Sequence, residues 1–385
     1  MIQYLRLSLV LLLITLQPGR MLLAEEIEGL PGDDMEQQME EPTDLGLGAA
    51  DKSGNEWLVA PIPGRNPTFG WTLTMPVAYL YHPKTVDQES PPWITGAMGF
   101  YAENGSWAGG VFHRMNLDKD RYRFGGALVY SDITYNYYGS GETPGDKDHY
   151  LELIQTFGVG ILDAKVRVAD NLYVGMGVLA MGTTIEDIRF PGLDIDFPNL
   201  FEGLKMQLVD LVPKIVYDTR DNEFYPQRGT YINAQVNISA EGWGSDFDYQ
   251  IYEASWNQYF SLAENQVLAF RMSGKYASGR VPFFRLPAVG QGGDFRGFVM
   301  GRYRDKVLAY SQLEYRIRLT ERIGLVAFGG LGGVAPEWDE FDKILTNYGV
   351  GARWVLAKEN NISFRVDVAR GGDNTEIYLG VGEAF

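Results

Sequence analysis

Side chains able to do covalent chemistry are few in this sequence. Its 385 residues contain no cysteine and three histidines, His82, His113 and His149. No Gly-x-Ser-x-Gly turn is present to raise a serine nucleophile. The histidines also lack the spacing by which one helix presents two imidazoles to a metal ion. The Gly139-Ser140-Gly141 triplet has no strand–helix context for phosphate binding and reads as a loop tip. The expectation is therefore no enzyme, no cofactor and no metal. What the sequence offers instead is ion pairing. Residues 290–305, GQGGDFRGFVMGRYRD, place Arg296, Arg302 and Arg304 on a glycine-rich segment. A planar guanidinium in an enclosed interior is costly unless carboxylates meet its fork.

The runs on either side of this segment show which elements would have to position it. From Trp57 onward the dominant pattern is period-2 alternation broken by Asn, Asp, Gly and Pro. In 229–239, Ile232, Ala234, Val236 and Ile238 oppose Asn233, Gln235, Asn237 and Ser239. In 307–319, Leu313, Tyr315 and Ile317 oppose Gln312, Glu314, Arg316 and Arg318. In 361–369, Phe364, Val366 and Val368 oppose Ser363, Arg365 and Asp367. The last run, 375–385, sets Ile377, Leu379, Val381 and Phe385 on one face, with Glu383 as an interruption. A soluble β-sandwich also alternates. Polar faces rich in Arg, Glu and Asn on many strands, and an aromatic residue closing the final apolar alternation, favour instead a transmembrane barrel with a wet interior. Such a sheet must close, because backbone groups in lipid have no other partners.

Composition is consistent with that class. Arg6 followed by an apolar run over 7–16 reads as a secretory signal, 1–24, too short to span a bilayer. Removing it changes the net charge from −17 to −19, since it holds two arginines and no acid. The segment 25–56 carries 11 acidic residues against Lys52 alone and is expected to be a disordered acidic lead-in. The acidic balance argues against nucleic acid as a partner. Without cysteine, rigidity in an exported chain has to come from elsewhere, and a closed hydrogen-bonded sheet supplies it. Aromatics at 13% and 46 glycines suit interface belts, turns and a crowded interior.

The strand count discriminates further. Five strands follow the 290–305 segment, at about 305–319, 322–334, 346–357, 360–370 and 375–385. Ten precede it from Phe69 onward, and the even number expected of a single-chain barrel points to one more, 57–64. The domain 57–385 is thus expected to be an all-β, 16-stranded antiparallel transmembrane barrel. Short connections such as Ala169-Asp170-Asn171, Ala263-Glu264-Asn265 and Lys358-Glu359-Asn360 fall at one end. The longer ones, 139–148, 188–204, 280–304 and 335–345, fall at the other. Closure joins the first strand, carrying Pro61 and Pro63, to the last, carrying Gly380 and Gly382. Prolines donate no ladder hydrogen bonds. Two readings fit: a lateral seam weaker than its neighbours, or pairing that begins after the prolines.

Three stretches carry a family resemblance. GGDFRGFVMGRYRD contains an Arg-Gly-aromatic signature, YDTRDNEFYPQRG (217–229) an Asp-Thr-Arg-Asp-Asn turn, and FRVDVARG with the terminal YLGVGEAF closes the chain. In this order they resemble the BamA/TamA-type assembly barrels, the bacterial surface antigen family, over about 57–385. The resemblance implies a bacterial outer-membrane location and a sixth extracellular loop folded into the barrel. It further implies that Arg296, with Gly297 and Phe298, locks onto acidic groups of the inner wall. The alternation independently puts Glu314 and Asp367 on that wall. Such a cluster either holds the loop alone or also gates the barrel.

Phe385 resembles the terminal aromatic signal by which such barrels are recognised for insertion, making the chain itself a client of the barrel assembly machinery. Family members that assemble or secrete proteins carry periplasmic POTRA domains, and here only the acidic lead-in stands between signal and barrel. The expected role is assistance in inserting or translocating protein or lipid, among outer-membrane lipids and with a POTRA-type partner in trans. The alternative is a passive pore or structural barrel that kept the fold and lost that role.

Overall fold

The computed structural model describes residues 56–59, 61–87, 90–141, 150–190, 203–222, 224–290, 295–357 and 361–385. The expected signal and the acidic lead-in lie outside them, apart from Glu56, as do His149 and the turn Lys358-Glu359-Asn360.

Alternating sequence becomes long antiparallel strands. They are β1 (Glu56–Val59), β2 (Ile62–Asn66), β3 (Gly70–Tyr81), β4 (Trp93–Ala102), β5 (Trp107–Leu117) and β6 (Tyr122–Tyr137). Then come β7 (Leu151–Ala169), β8 (Leu172–Arg189), β9 (Leu204–Asp218), β10 (Gly229–Ser239), β11 (Tyr249–Ala263) and β12 (Gln266–Gly279). The rest are β13 (Val307–Arg318), β14 (Ile323–Ala335), β15 (Leu345–Ala357), β16 (Ile362–Gly371) and β17 (Asn374–Val381). From β2 onward each pairs with its sequence neighbours, and β17 returns to β2, closing the sheet. Turn chemistry is local: Asn66 Oδ1 accepts the amides of Thr68 and Phe69, and Asn222 Oδ1 those of Phe224 and Tyr225.

β1 and β2 are two halves of one wall strand. Both pair with β3, β1 against Val77–Leu80 and β2 against Gly70–Thr74. The wall therefore has sixteen strands. The first was expected as one run, 57–64; its ladder is interrupted at Pro61, which has no N–H to give it. Pairing does not wait for the prolines to pass, because Pro63 lies opposite Leu73 within β2.

The last strand also departs from expectation. It ends at Val381 instead of running to 385, and Gly382, at φ 84°, turns the final residues inward. That φ favours glycine over any residue with a Cβ. Phe385 is consequently not on the outward face of Ile377. It is buried in the barrel against Tyr259 of β11 and Ala269 of β12.

The interior is divided. Outward side chains such as Leu128, Tyr130, Met176, Ile215, Met272 and Val350 are exposed. Along β10 to β17 the inward ones are polar, as expected, with Asn233, Gln235, Asn257, Gln312, Glu314, Arg353 and Asp367 buried. Along β3 to β9 much of the interior is instead an apolar core of Leu80, Ile94, Phe112, Val129, Ile161, Leu179 and Leu208. Buried Asp163, Lys165, Asp210 and Lys214 interrupt that core on β7 and β9, so the wet interior expected throughout gives way to apolar packing over part of β3 to β9.

Candidate functional site

The connection between β12 and β13 descends into the barrel and touches several walls. Its first arm contains a 3-10 turn, Phe283–Arg285. Phe283 packs edge-on against Tyr137 of β6, with ring centres 5.0 Å apart, and Phe284 against Phe157 of β7. Arg285 Nη2 donates to Asp210 of β9 at 2.9 Å, and the Tyr249 hydroxyl donates to the same carboxylate. The second arm holds Phe295, Phe298 and Tyr303 in an apolar cluster with Leu308, Tyr310, Val334 and Leu345. Met300 N–H reaches the Thr68 hydroxyl beside the first strand at 3.3 Å. Gly141 N–H donates to the Arg304 carbonyl, so the expected loop tip is docked on this segment.

At the centre of the second arm, Arg296 is 1% exposed and its guanidinium meets Glu314 and Asp367, both fully buried. Nη2 bonds Glu314 Oε2 at 2.5 Å, and Nη1 bonds Asp367 Oδ2. Its ring of charge lies 3.5 Å over the centre of Phe328. The Arg296 carbonyl accepts from Asn347 Nδ2 at 2.7 Å. Gly297 adopts φ 105°, and a Cβ there would stand 2.6 Å from the Gly371 nitrogen. Phe298 stacks on Phe295. The five residues expected at the anchor, Arg296, Gly297, Phe298, Glu314 and Asp367, are thus brought together by β13, β16 and the loop.

The group is larger than those residues. Arg316 Nε bonds Glu314 Oε1 at 2.7 Å, and Arg353 Nη1 bonds Asp367 Oδ1 at 2.6 Å. Glu383, on the inturned tail, accepts from Arg353 Nε at 2.7 Å and lies 3.8 Å from Arg316 Nε. Three arginines and three carboxylates alternate in a closed ring, Arg296, Glu314, Arg316, Glu383, Arg353, Asp367. Buried charges persist where each has opposite partners and hydrogen bonds, and this ring gives each member two. Arg316 Nη1, Arg353 Nη2 and Glu383 Oε1 have no hydrogen-bond partner among the described residues, and the three side chains help to line one small niche with Tyr225 and Ser363. Glu383, which breaks the apolar alternation of the terminal run, was the available signal for its own membership. Arg353 lacked one, because the alternation of β15 was not among the clear ones.

The other expected residues lie at the seam. Gly380 is opposite Arg365 in the β16–β17 ladder, and Pro61 falls in the break of the first strand. The β17–β2 ladder is a single position, Leu379 opposite Arg65. Every other junction between neighbouring wall strands carries seven or more, as in β9–β10. Among the described residues no cluster of His, Asp or Glu is placed to hold a metal ion.

Fold and site together define a class, the closed sixteen-stranded membrane-type barrel whose interior is gripped by a loop through Arg285 and Arg296. Residues 109–385 match the Omp85 superfamily domain, and the chain belongs to the Omp85 superfamily. No curated protein matches it. The fold is similar to BamA from Haemophilus ducreyi lacking POTRA domains 1-3, with a TM-score of 0.60 and 14% identity over 85% of this chain and 70% of that one. It is also similar to CdiB from Escherichia coli, with a TM-score of 0.57 and 10% identity over 95% and 74% of the two chains. CdiB from Acinetobacter baumannii gives a TM-score of 0.56 at 10% identity over 85% of this chain, which spans 59% of the length of that CdiB.

Proposed function

We propose that the protein is an integral outer-membrane barrel that helps to insert or translocate protein or lipid, with the β17–β2 seam as the place where cargo meets the wall. The single paired position at that seam carries the reading. A sheet in lipid keeps its backbone groups paired, so the junction with fewest pairs is where it parts at least cost. Membership of the Omp85 superfamily and the exposed apolar outer wall support an outer-membrane setting among lipids. The role is mechanical, not enzymatic, and a POTRA-type periplasmic partner acts in trans. Phe385 serves as an insertion signal to the barrel assembly machinery before folding, when it is not yet tucked inside.

The passive-pore alternative is opposed by the loop. Arms that reach Tyr137, Phe157, Asp210, Glu314 and Asp367 occupy space that an open channel would need. The test is a photo-crosslinking amino acid at Leu379 in living cells, with captured species identified by mass spectrometry. Nascent barrel proteins or lipid-transport partners are the expected capture. Recovery of lipid and the chain's own first strand alone would overturn the proposal.

A further inference from the structure

The seam strand is held by the loop more than by its seam neighbour, which gives two residues outside the expected anchor a role. On one edge β17 pairs with β16 at eight positions; on the other it pairs with β2 at one. Its placement therefore depends on what grips it from inside. The Tyr378 hydroxyl, buried, accepts the Gly297 N–H at 2.8 Å and lies 3.4 Å from the Phe298 carbonyl. Beyond the strand, the turn at Gly382 delivers Glu383 into the ring that also holds Arg296. Arg316 adds a third tie, donating to the Phe385 carbonyl at 2.8 Å.

We propose that Tyr378 and Glu383 are positioning residues that couple the loop anchor to the seam, so that release of Arg296 loosens β17 and loosening of β17 releases Arg296. This rests on the seam reading above, but concerns only how the seam is governed. The reciprocity is a requirement of linkage between two sites that share a structural element. Arg296 and Glu383 never touch; they meet through the shared partners Arg316, Arg353, Glu314 and Asp367. Loss of Arg296 takes one of two cations from Glu314 and from Asp367, and the cations they keep, Arg316 and Arg353, are the two partners of Glu383.

The absence of cysteine makes a clean test available. An Arg65→Cys/Leu379→Cys pair spans the one paired position, and its rate of disulfide formation reports how often the seam is closed. The pair is measured alone and with Arg296→Ala, Tyr378→Phe, Glu383→Gln and the Arg296→Ala/Glu383→Gln combination. The protein is purified and folded into vesicles of phosphatidylethanolamine and phosphatidylglycerol, with no client present. Each single change is expected to slow trapping about threefold or more, and the combination no more than the worse single change, the signature of residues in one network. Trapping unaffected by Tyr378→Phe and Glu383→Gln, or effects that multiply, would overturn the coupling. Should Glu383→Gln fail to fold, Tyr378→Phe decides alone, since it removes one hydroxyl and keeps the ring. Responsive trapping in vesicles with no client captured in cells would leave the coupling standing and remove the assembly role.

Discussion

Arg296 is the residue on which the interior turns, since it stands between Glu314 and Asp367 with no water-exposed surface to soften its loss. Removing Arg296 leaves three buried carboxylates to two arginines, one charge uncompensated, so Arg296→Ala is expected to cost about 3–5 kcal/mol. The measurement is the temperature at which the purified barrel loses its compact electrophoretic mobility. Arg296→Lys keeps the charge but not the planar fork that reaches two carboxylates at once, and is expected to fall between the two. Gly297→Ala, at φ 105° and against the Gly371 backbone, is expected to destabilise by more than about 1 kcal/mol in the same assay. The trio Arg296, Glu314 and Asp367 was legible because an arginine in an inward segment needs acids, and alternation said which acids point inward. Arg353 was not legible, since nothing local marks one polar residue of β15 as a partner of a loop 57 positions earlier in the chain. Glu383 looked like a flaw in an apolar pattern, and it is a ring member because the chain turns at Gly382.

Among the elements, the loop and the seam strands depart furthest from ordinary hairpin geometry. Period-2 alternation and turn residues located nearly every strand within a few positions. They missed the break in the first strand, whose ends pair with β3 on either side of the gap, and the early stop of the last one. The first is set by the missing N–H of Pro61 and the second by the turn at Gly382, and a repeating side-chain pattern registers neither a missing donor nor a change in backbone direction. The loop's arms are pinned separately, one by Arg285 on Asp210 and one by the ring. Trypsin is therefore expected to spare Arg304 in the folded protein, where it is buried. It should cleave there in the Arg296→Ala variant, as mass spectrometry of the fragments would register. Equal protection in both would mean that the first arm alone holds the loop in place.

For the whole molecule, closure and strand number were readable from the sequence, whereas the divided interior was not. A strand apolar on both faces, such as the middle of β7 or β8, shows no alternation from which an inner face could be told. The apolar core of β3 to β9 and the polar wall of β10 to β17 are bridged by one loop that carries phenylalanines on its first arm and Arg296 on its second. Sixteen strands are enough to leave an aqueous channel when the interior is empty. With the loop in place, planar-bilayer recordings are expected to show little steady conductance, and deletion of 283–304 is expected to raise it. A large steady conductance of the intact protein would favour a pore.

The claim beneath both the function and the coupling is that the barrel has one weak joint. Hydrogen–deuterium exchange of the protein in lipid vesicles measures it directly, because amide protection reports local opening strand by strand. Peptides from β2 and β17 are expected to exchange far faster than those from β7 and β8, and faster still in the Arg296→Ala variant. Seam amides as protected as those of β7 and β8 in both proteins would contradict the claim.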